Sequence, residues 1–137
     1  MKPEHIDLQG AGDVSALARR VLKTRGREVQ RLAAGLEHRD KQGLHDFRIA
    51  CKRLRYALER FSDREPPLQA IAERLTLLQD ALGEAHDRDV LLSVLPPTMP
   101  QTERSLRDER DAYVERANVL WPEVRELARA CALMYFE

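Results

Sequence analysis

Apolar residues in this chain recur every three or four positions, and no segment alternates as a half-buried strand does. Val14, Leu17, Ala18, Val21, Val29, Leu32 and Leu36 predict a first helix over about 14–38, with Asp13 as its N-cap. Leu44, Phe47, Cys51, Leu54, Leu58 and Phe61 step by three and four, a bundle-type seam, and predict a second helix over about 42–62. Ser62 to Pro67 reads as a turn, its prolines suited to opening the next helix. A third helix then starts near 66, with Leu68, Ile71, Leu75, Leu78 and Leu82 inward and Gly83 a candidate kink. It continues through Val90, Leu91, Val94 and Leu95 to the stop at Pro96-Pro97-Thr98-Met99-Pro100. A polar fourth helix is expected over about 101–119, striped by Leu106, Tyr113, Ala117 and Leu120. Pro122 is read as the start of a last helix over about 122–136, with Val124, Leu127, Cys131 and Met134 inward. Residues 1–13 lack periodicity and read as an arm; 14–137 read as one all-α domain, a four- to five-helix bundle. Its expected core is Leu44, Phe47, Cys51, Leu54, Leu58, Phe61, Leu75, Leu78 and Leu82.

Composition narrows the class. Charged residues make up 34% of the 137, above the roughly 25% of an average soluble domain, which suits solvated helices. Apolar runs are far short of the ~20 residues that cross a bilayer, and MKPEHIDLQG lacks a signal-peptide core. Cys51 and Cys131 form no metal or redox motif, so the expected setting is reducing and cytoplasmic.

The 23 basic and 23 acidic residues cancel, yet they are segregated. Residues 14–31 carry six Arg/Lys against Glu28, and residues 44–60 carry five against Asp46 and Glu59. At about 100° per residue, His45, Arg48, Lys52 and Arg55 form one stripe bordering the second helix's apolar seam. Arg53 and Arg60 fall on the far side by the same count. Like charges three or four apart repel. Such a stripe is offset by acids of the third helix (Glu73, Asp80, Glu84, Asp87, Asp89), by a polyanion, or by solvation alone. Asp87 or Asp89 is expected to bridge to Arg48, Lys52 or Arg55. On the first helix Arg19, Lys23 and Arg27 share a face. Arg25 projects into that helix's apolar side, where it must reach a carboxylate or point into the same groove. Arginine forks fit phosphate oxygens in bidentate fashion.

A second ionisable segment runs Leu82-Gly83-Glu84-Ala85-His86-Asp87-Arg88-Asp89-Val90, repeating the His45-Asp46 dipeptide as His86-Asp87. A metal-dependent phosphohydrolase would need three or four converging ligands, and neither a His-x3-His nor a cysteine pair is present. The expectation is therefore no catalytic residue, no metal and no cofactor. Phe47, Tyr56 and Phe61 fit core or rim positions better than a base-stacking platform, which argues against nucleic acid.

Together, Gly43-Leu44-His45-Asp46-Phe47-Arg48-Ile49-Ala50-Cys51-Lys52-Arg53-Leu54-Arg55-Tyr56-Ala57-Leu58-Glu59 and Leu78-Gln79-Asp80-Ala81-Leu82-Gly83-Glu84-Ala85-His86-Asp87-Arg88-Asp89-Val90 resemble the two signatures of the CHAD family of histidine-containing α-helical domains. The resemblance implies non-catalytic binding of inorganic polyphosphate in a basic groove, and association with polyphosphate granules. Carried over residue by residue, it assigns His45, Arg48, Lys52, Arg53, Arg55, His86 and Arg88 to the ligand, with Asp46, Asp87 and Asp89 supporting. The first helix adds Arg19, Lys23, Arg25 and Arg27. Another polyanion, RNA or a nucleotide polyphosphate, is the alternative ligand. Family domains usually hold two similar bundles, whereas this chain has one signature set, and His86 stands where the family often has Arg. A homodimer or second domain copy is accordingly expected, with Trp121, Tyr135 and Phe136 either candidate interface or local core packing.

Overall fold

The computed structural model describes residues 2–137. Asp13 caps α1 (Val14–Leu32) by accepting from the Ala16 N–H at 2.8 Å. The expected first helix is interrupted at Ala33, whose N–H reaches back only three residues to the Gln30 carbonyl. That tighter turn redirects the chain into the one-turn α2 (Ala34–His38), which closes on Arg39 in the left-handed region, φ 56°. The bend lays Gly35 on the backbone of Gly43, where a Cβ would collide with the Gly43 carbonyl. Asp40 then caps α3 (Lys41–Phe61), accepting from the Gly43 N–H at 2.9 Å.

α4 (Pro67–Val94) runs unbroken through Gly83, with Pro67 in its first turn. The two expected C-terminal helices are instead one, α5 (Pro100–Arg129), with Pro122 inside it. An interior proline costs about 3 kcal/mol. Val114, Ala117, Trp121, Val124 and Ala128 nevertheless keep a three-and-four stripe across it, all buried, and that continuous burial outweighs one missing hydrogen bond. The expected helical end at 130–136 is a turn that folds back: Leu133 and Met134 are buried, Leu127 is exposed and Cys131 only partly covered.

Short connections make successive long helices antiparallel. α3 lies between α1 and α4, and α5 packs along α4. Phe47 of α3 meets Trp121 of α5 edge-on, centroids 5.4 Å apart, at the centre of the core. The expected core residues are all buried except Phe61, which is half-buried against them. Trp121 is 8% exposed and Phe136 packs on α1 where Gly26 leaves room, 2.8 Å from a Cβ built there. Trp121 therefore belongs to the core and Phe136 packs partly buried against it, the packing alternative of the two; Tyr135 alone of the three is exposed. The arm lies along α1: Arg20 donates to the Asp7 and Gln9 carbonyls, and Glu4 pairs with Arg27 and Arg31 at 3.2 and 3.5 Å.

Candidate functional site

Seen down its axis, α3 turns its apolar seam inward, Arg53 toward α1, and His45, Arg48, Lys52 and Arg55 toward α4 or the open side between. His86 of α4 meets this stripe, and helical phase puts Gln79, seven residues earlier, on the same face. The His45 and His86 rings stack at 5.2 Å, tilted by 32°, which fixes the register of the antiparallel pair. Arg48, one turn along α3 from His45, then stands opposite Gly83, and Lys52 opposite Gln79. The stripe from His45 to Arg55 is about 15 Å long. A pocket of about 310 Å³ opens at its His45 end, lined by Lys41, Gln42, His45 and His86.

Polar atoms in this cleft lack partners. His45 Nδ1, Arg48 Nε, Arg55 Nε and Gln79 Oε1 are shut off from solvent and, among the described residues, make no hydrogen bond. Arg55 reaches Glu59 at 3.7 Å, on its own helix. Arg48 and Lys52 enter no ion pair within 4 Å among the described residues. Lys52 and Arg55 instead bracket the ring of Tyr56, at 5.8 and 5.0 Å from its centroid. Tyr56 is 52% exposed, so it forms the rim, as expected, while Phe47 is fully buried. Burial lowers the pKa of His86 below the ordinary histidine value; the charges of Arg48 and His45 add to this, against Asp87 and Asp89. His86 is therefore mainly neutral at pH 7.

The expected bridges from Asp87 or Asp89 to this stripe are absent among the described residues. Asp89 pairs with Arg110 of α5 at 3.2 Å, and Arg110 also donates to the Arg39 carbonyl at 2.7 Å. Asp87 sits exposed on the outer flank of α4. The reason is helical phase: relative to His86, which faces α3, Asp89 is turned about 60° toward α5 and Asp87 about 100° toward solvent. Asp46 accepts at 2.9 Å from Gln42, one turn back along its own helix and itself part of the pocket lining at the His45 end.

The other basic residues go elsewhere. Arg25 reaches a carboxylate: it pairs with Glu28, only 1% exposed, which also accepts from the Glu4 N–H at 3.2 Å and lies 4.0 Å from Arg53. This buried carboxylate ties α1, α3 and the arm together, and its sequence signal was its position as the lone acid of a basic helix. Arg19, Lys23 and Arg27 point away from α3. Arg19 donates to the Tyr135 hydroxyl at 3.2 Å and Lys23 sits 5.7 Å from the Tyr135 ring centroid. Lys23 and Tyr135, with Arg27, Gln30, Arg31 and Glu137, border a separate pocket of about 600 Å³. Arg88 faces α5, held by Glu84, by Glu109 at 3.1 Å and by the Tyr113 ring at 4.9 Å. Of the eleven expected ligand contacts, the structure thus gathers His45, Arg48, Lys52, Arg55 and His86 into one cleft. It adds Gln79, which lies seven residues before His86 and so on the same helix face. Cys51 is buried, which pushes its thiol pKa up and leaves it a packing residue.

Among the described residues no three His, Cys, Asp or Glu side chains converge as a metal site, and no helix is long and apolar enough to cross a membrane. The family profile for the CHAD domain matches residues 2–96, which covers the arm, α1 to α4 and the whole cleft. No curated protein and no solved structure matches the chain.

Proposed function

The chain belongs to the CHAD family, and from that premise and the α3–α4 cleft we propose that it binds inorganic polyphosphate without catalysis. The family is associated with polyphosphate and triphosphate binding. The observation that carries the reading to this cleft is its unused polar atoms: the Arg48 Nε and Arg55 Nε donors, with His45 Nδ1 beside them, are buried and unpartnered among the described residues. Buried donors without acceptors are costly. An oxygen-rich anion supplies acceptors, whereas the neighbouring Glu59 carboxylate lies 3.7 Å from Arg55 Nη1 and leaves both Nε groups unpaired. Polyphosphate offers only charge density and oxygen geometry, which arginine forks read.

The cleft spans about 15 Å, so a long polyphosphate extends past both ends. A second copy of this chain on the same polyanion, as a homodimer or side by side, raises avidity through effective concentration. Association with polyphosphate granules is the corresponding cellular expectation.

The test is a binding panel of long-chain polyphosphate, RNA and DNA against native protein and the Arg48→Ala/Arg55→Ala double variant, with light scattering on free and bound protein. We expect tight polyphosphate binding that falls steeply with salt, as neutralised phosphates release counterions, and that collapses in the double variant. Preferential binding of RNA would transfer the cleft to the exposed Tyr56 rim and a base-bearing ligand. Release of phosphate from polyphosphate by the purified protein would contradict the non-catalytic reading. A bound species that stays monomeric at every polyphosphate length would remove the second copy.

A further inference from the structure

We infer that Gly83 is the place where the ligand lies against the backbone of α4, an inference that rests on the α3–α4 cleft being the polyphosphate site. Glycine is the poorest helix former apart from proline, and Gly83 stands inside the continuous helix Pro67–Val94. Packing does not require it. A Cβ built at Gly83 meets nothing within 4 Å, whereas Cβ atoms at Gly26, Gly35 and Gly43 each run into a neighbour. The residue therefore weakens the helix and relieves no contact in the free protein.

What it leaves is a gap at the cleft. Gly83 lies one turn before His86 on α4, and Arg48 lies one turn after His45 on the antiparallel α3. With the two histidine rings 5.2 Å apart, Gly83 and Arg48 face each other across the open side of the cleft. Relative to His86, Gly83 is rotated about 60° toward solvent, whereas Arg48 is rotated about 60° from His45 toward the apolar seam, so Gly83 borders the mouth of the cleft above the arginine. The unpartnered Arg48 Nε lies low in this cleft, out of contact with water. A phosphate chain must sink toward the α4 backbone to present oxygens there. A side chain at position 83 would stand in its path. The absent Cβ thus sets how deeply an anion seats, and favours a bare phosphate chain over a bulkier substituted one.

Two properties that usually move together should separate. Gly83→Ala adds helix propensity and restricts the unfolded chain, so the variant should melt about 2–4 °C above native protein. Its affinity for long-chain polyphosphate, measured by calorimetry, should fall several-fold. Gly83→Leu should lose at least tenfold while keeping native helical circular dichroism, since its side chain has open space to enter. A Gly83→Leu affinity within twofold of native would overturn the inference, as would Gly83→Ala melting below native protein, which would assign the glycine to packing. The Arg48→Ala/Arg55→Ala variant separates the two levels. If it keeps native affinity, the cleft reading fails and this inference with it. If it loses binding while Gly83→Leu binds natively, the inference about Gly83 alone fails.

Discussion

Replacing Arg48 by alanine separates a binding residue from a structural one, because in the free protein Arg48 holds nothing together. It enters no ion pair among the described residues, and its Nε is buried without a partner. The expected loss on binding is that of a charge-assisted hydrogen bond, about 1.5–3 kcal/mol. That corresponds to a roughly 10- to 150-fold rise in Kd. The stability change should be small, within about 1 kcal/mol, since the packing of the side-chain stem is lost while an unsatisfied donor is removed. Arg48→Lys keeps the charge and discards the planar fork, so it should fall between native and Arg48→Ala. The assay is calorimetric titration with long-chain polyphosphate at two salt concentrations, beside urea melts. One lost phosphate contact should lower the slope of log affinity against log salt by about one. The reasoning fails if Arg48→Ala binds within twofold of native, or if its melt shifts as far as its affinity.

Binding should strengthen as pH falls, because His86 is held neutral and an adjacent polyanion favours its cation. The free protein shows the opposite sign. A histidine whose folded pKa is lowered leaves stability intact above about pH 6.5, its unfolded value, and loses it as pH falls from there through the folded pKa. Long chains keep titratable phosphate ends few, and His86→Gln should flatten part of the affinity rise; a rise of unchanged size would place the proton elsewhere. Glu28→Gln breaks a buried carboxylate away from Arg25 and should cost about 3 kcal/mol in urea melts, the low end for a broken buried pair because Arg25 keeps 16% exposure. A native melting curve would show that Arg25 and Arg53 need no such anchor. Arg88→Ala removes a guanidinium that faces α5 and should leave polyphosphate affinity within twofold of native; a tenfold loss would extend the cleft to that side of α4.

The fold was legible wherever one helix buries one stripe. The three-and-four spacing from Leu44 to Phe61 located α3 to within a residue at each end. It failed where tertiary burial overrode a local signal. Pro122 resembles a helix start, but the stripe from Val114 to Ala128 crosses it against α4 and keeps α5 whole. Ala33 carries no breaking signal at all, and the turn there follows from the contact of Gly35 with Gly43, two residues that local periodicity cannot bring together. The site was half legible for the same reason. Angular phase on α3 placed His45, Arg48, Lys52 and Arg55 on one edge and Arg53 on the other. It does not say which neighbour each edge meets, and of the acids of α4 Asp89 turns to α5 and Asp87 to solvent.

The distribution of acids explains how a chain of zero net charge can still present a cationic cleft. Glu4 covers Arg27 and Arg31, Glu28 takes Arg25, Glu84 and Glu109 take Arg88, and Asp89 takes Arg110. Each of these pairs lies away from the α3–α4 cleft, so neutralisation is spent on the flanks and on α5. Arg48 and Lys52 face His86 and Gln79, neither of which carries a negative charge. Asp87, the nearest acid on α4, is turned outward by the same helical phase that turns His86 in. The local field therefore depends on the rotation of α4 about its axis and not on composition. That rotation is set by Leu75, Leu78, Leu82 and Ala85, all buried, in the core beneath. In this protein the packing residues of α4 are what keep the carboxylates of its second signature out of the cleft, and that leaves Arg48 and Lys52 to a phosphate chain, with Arg55 and its Glu59 at the far end.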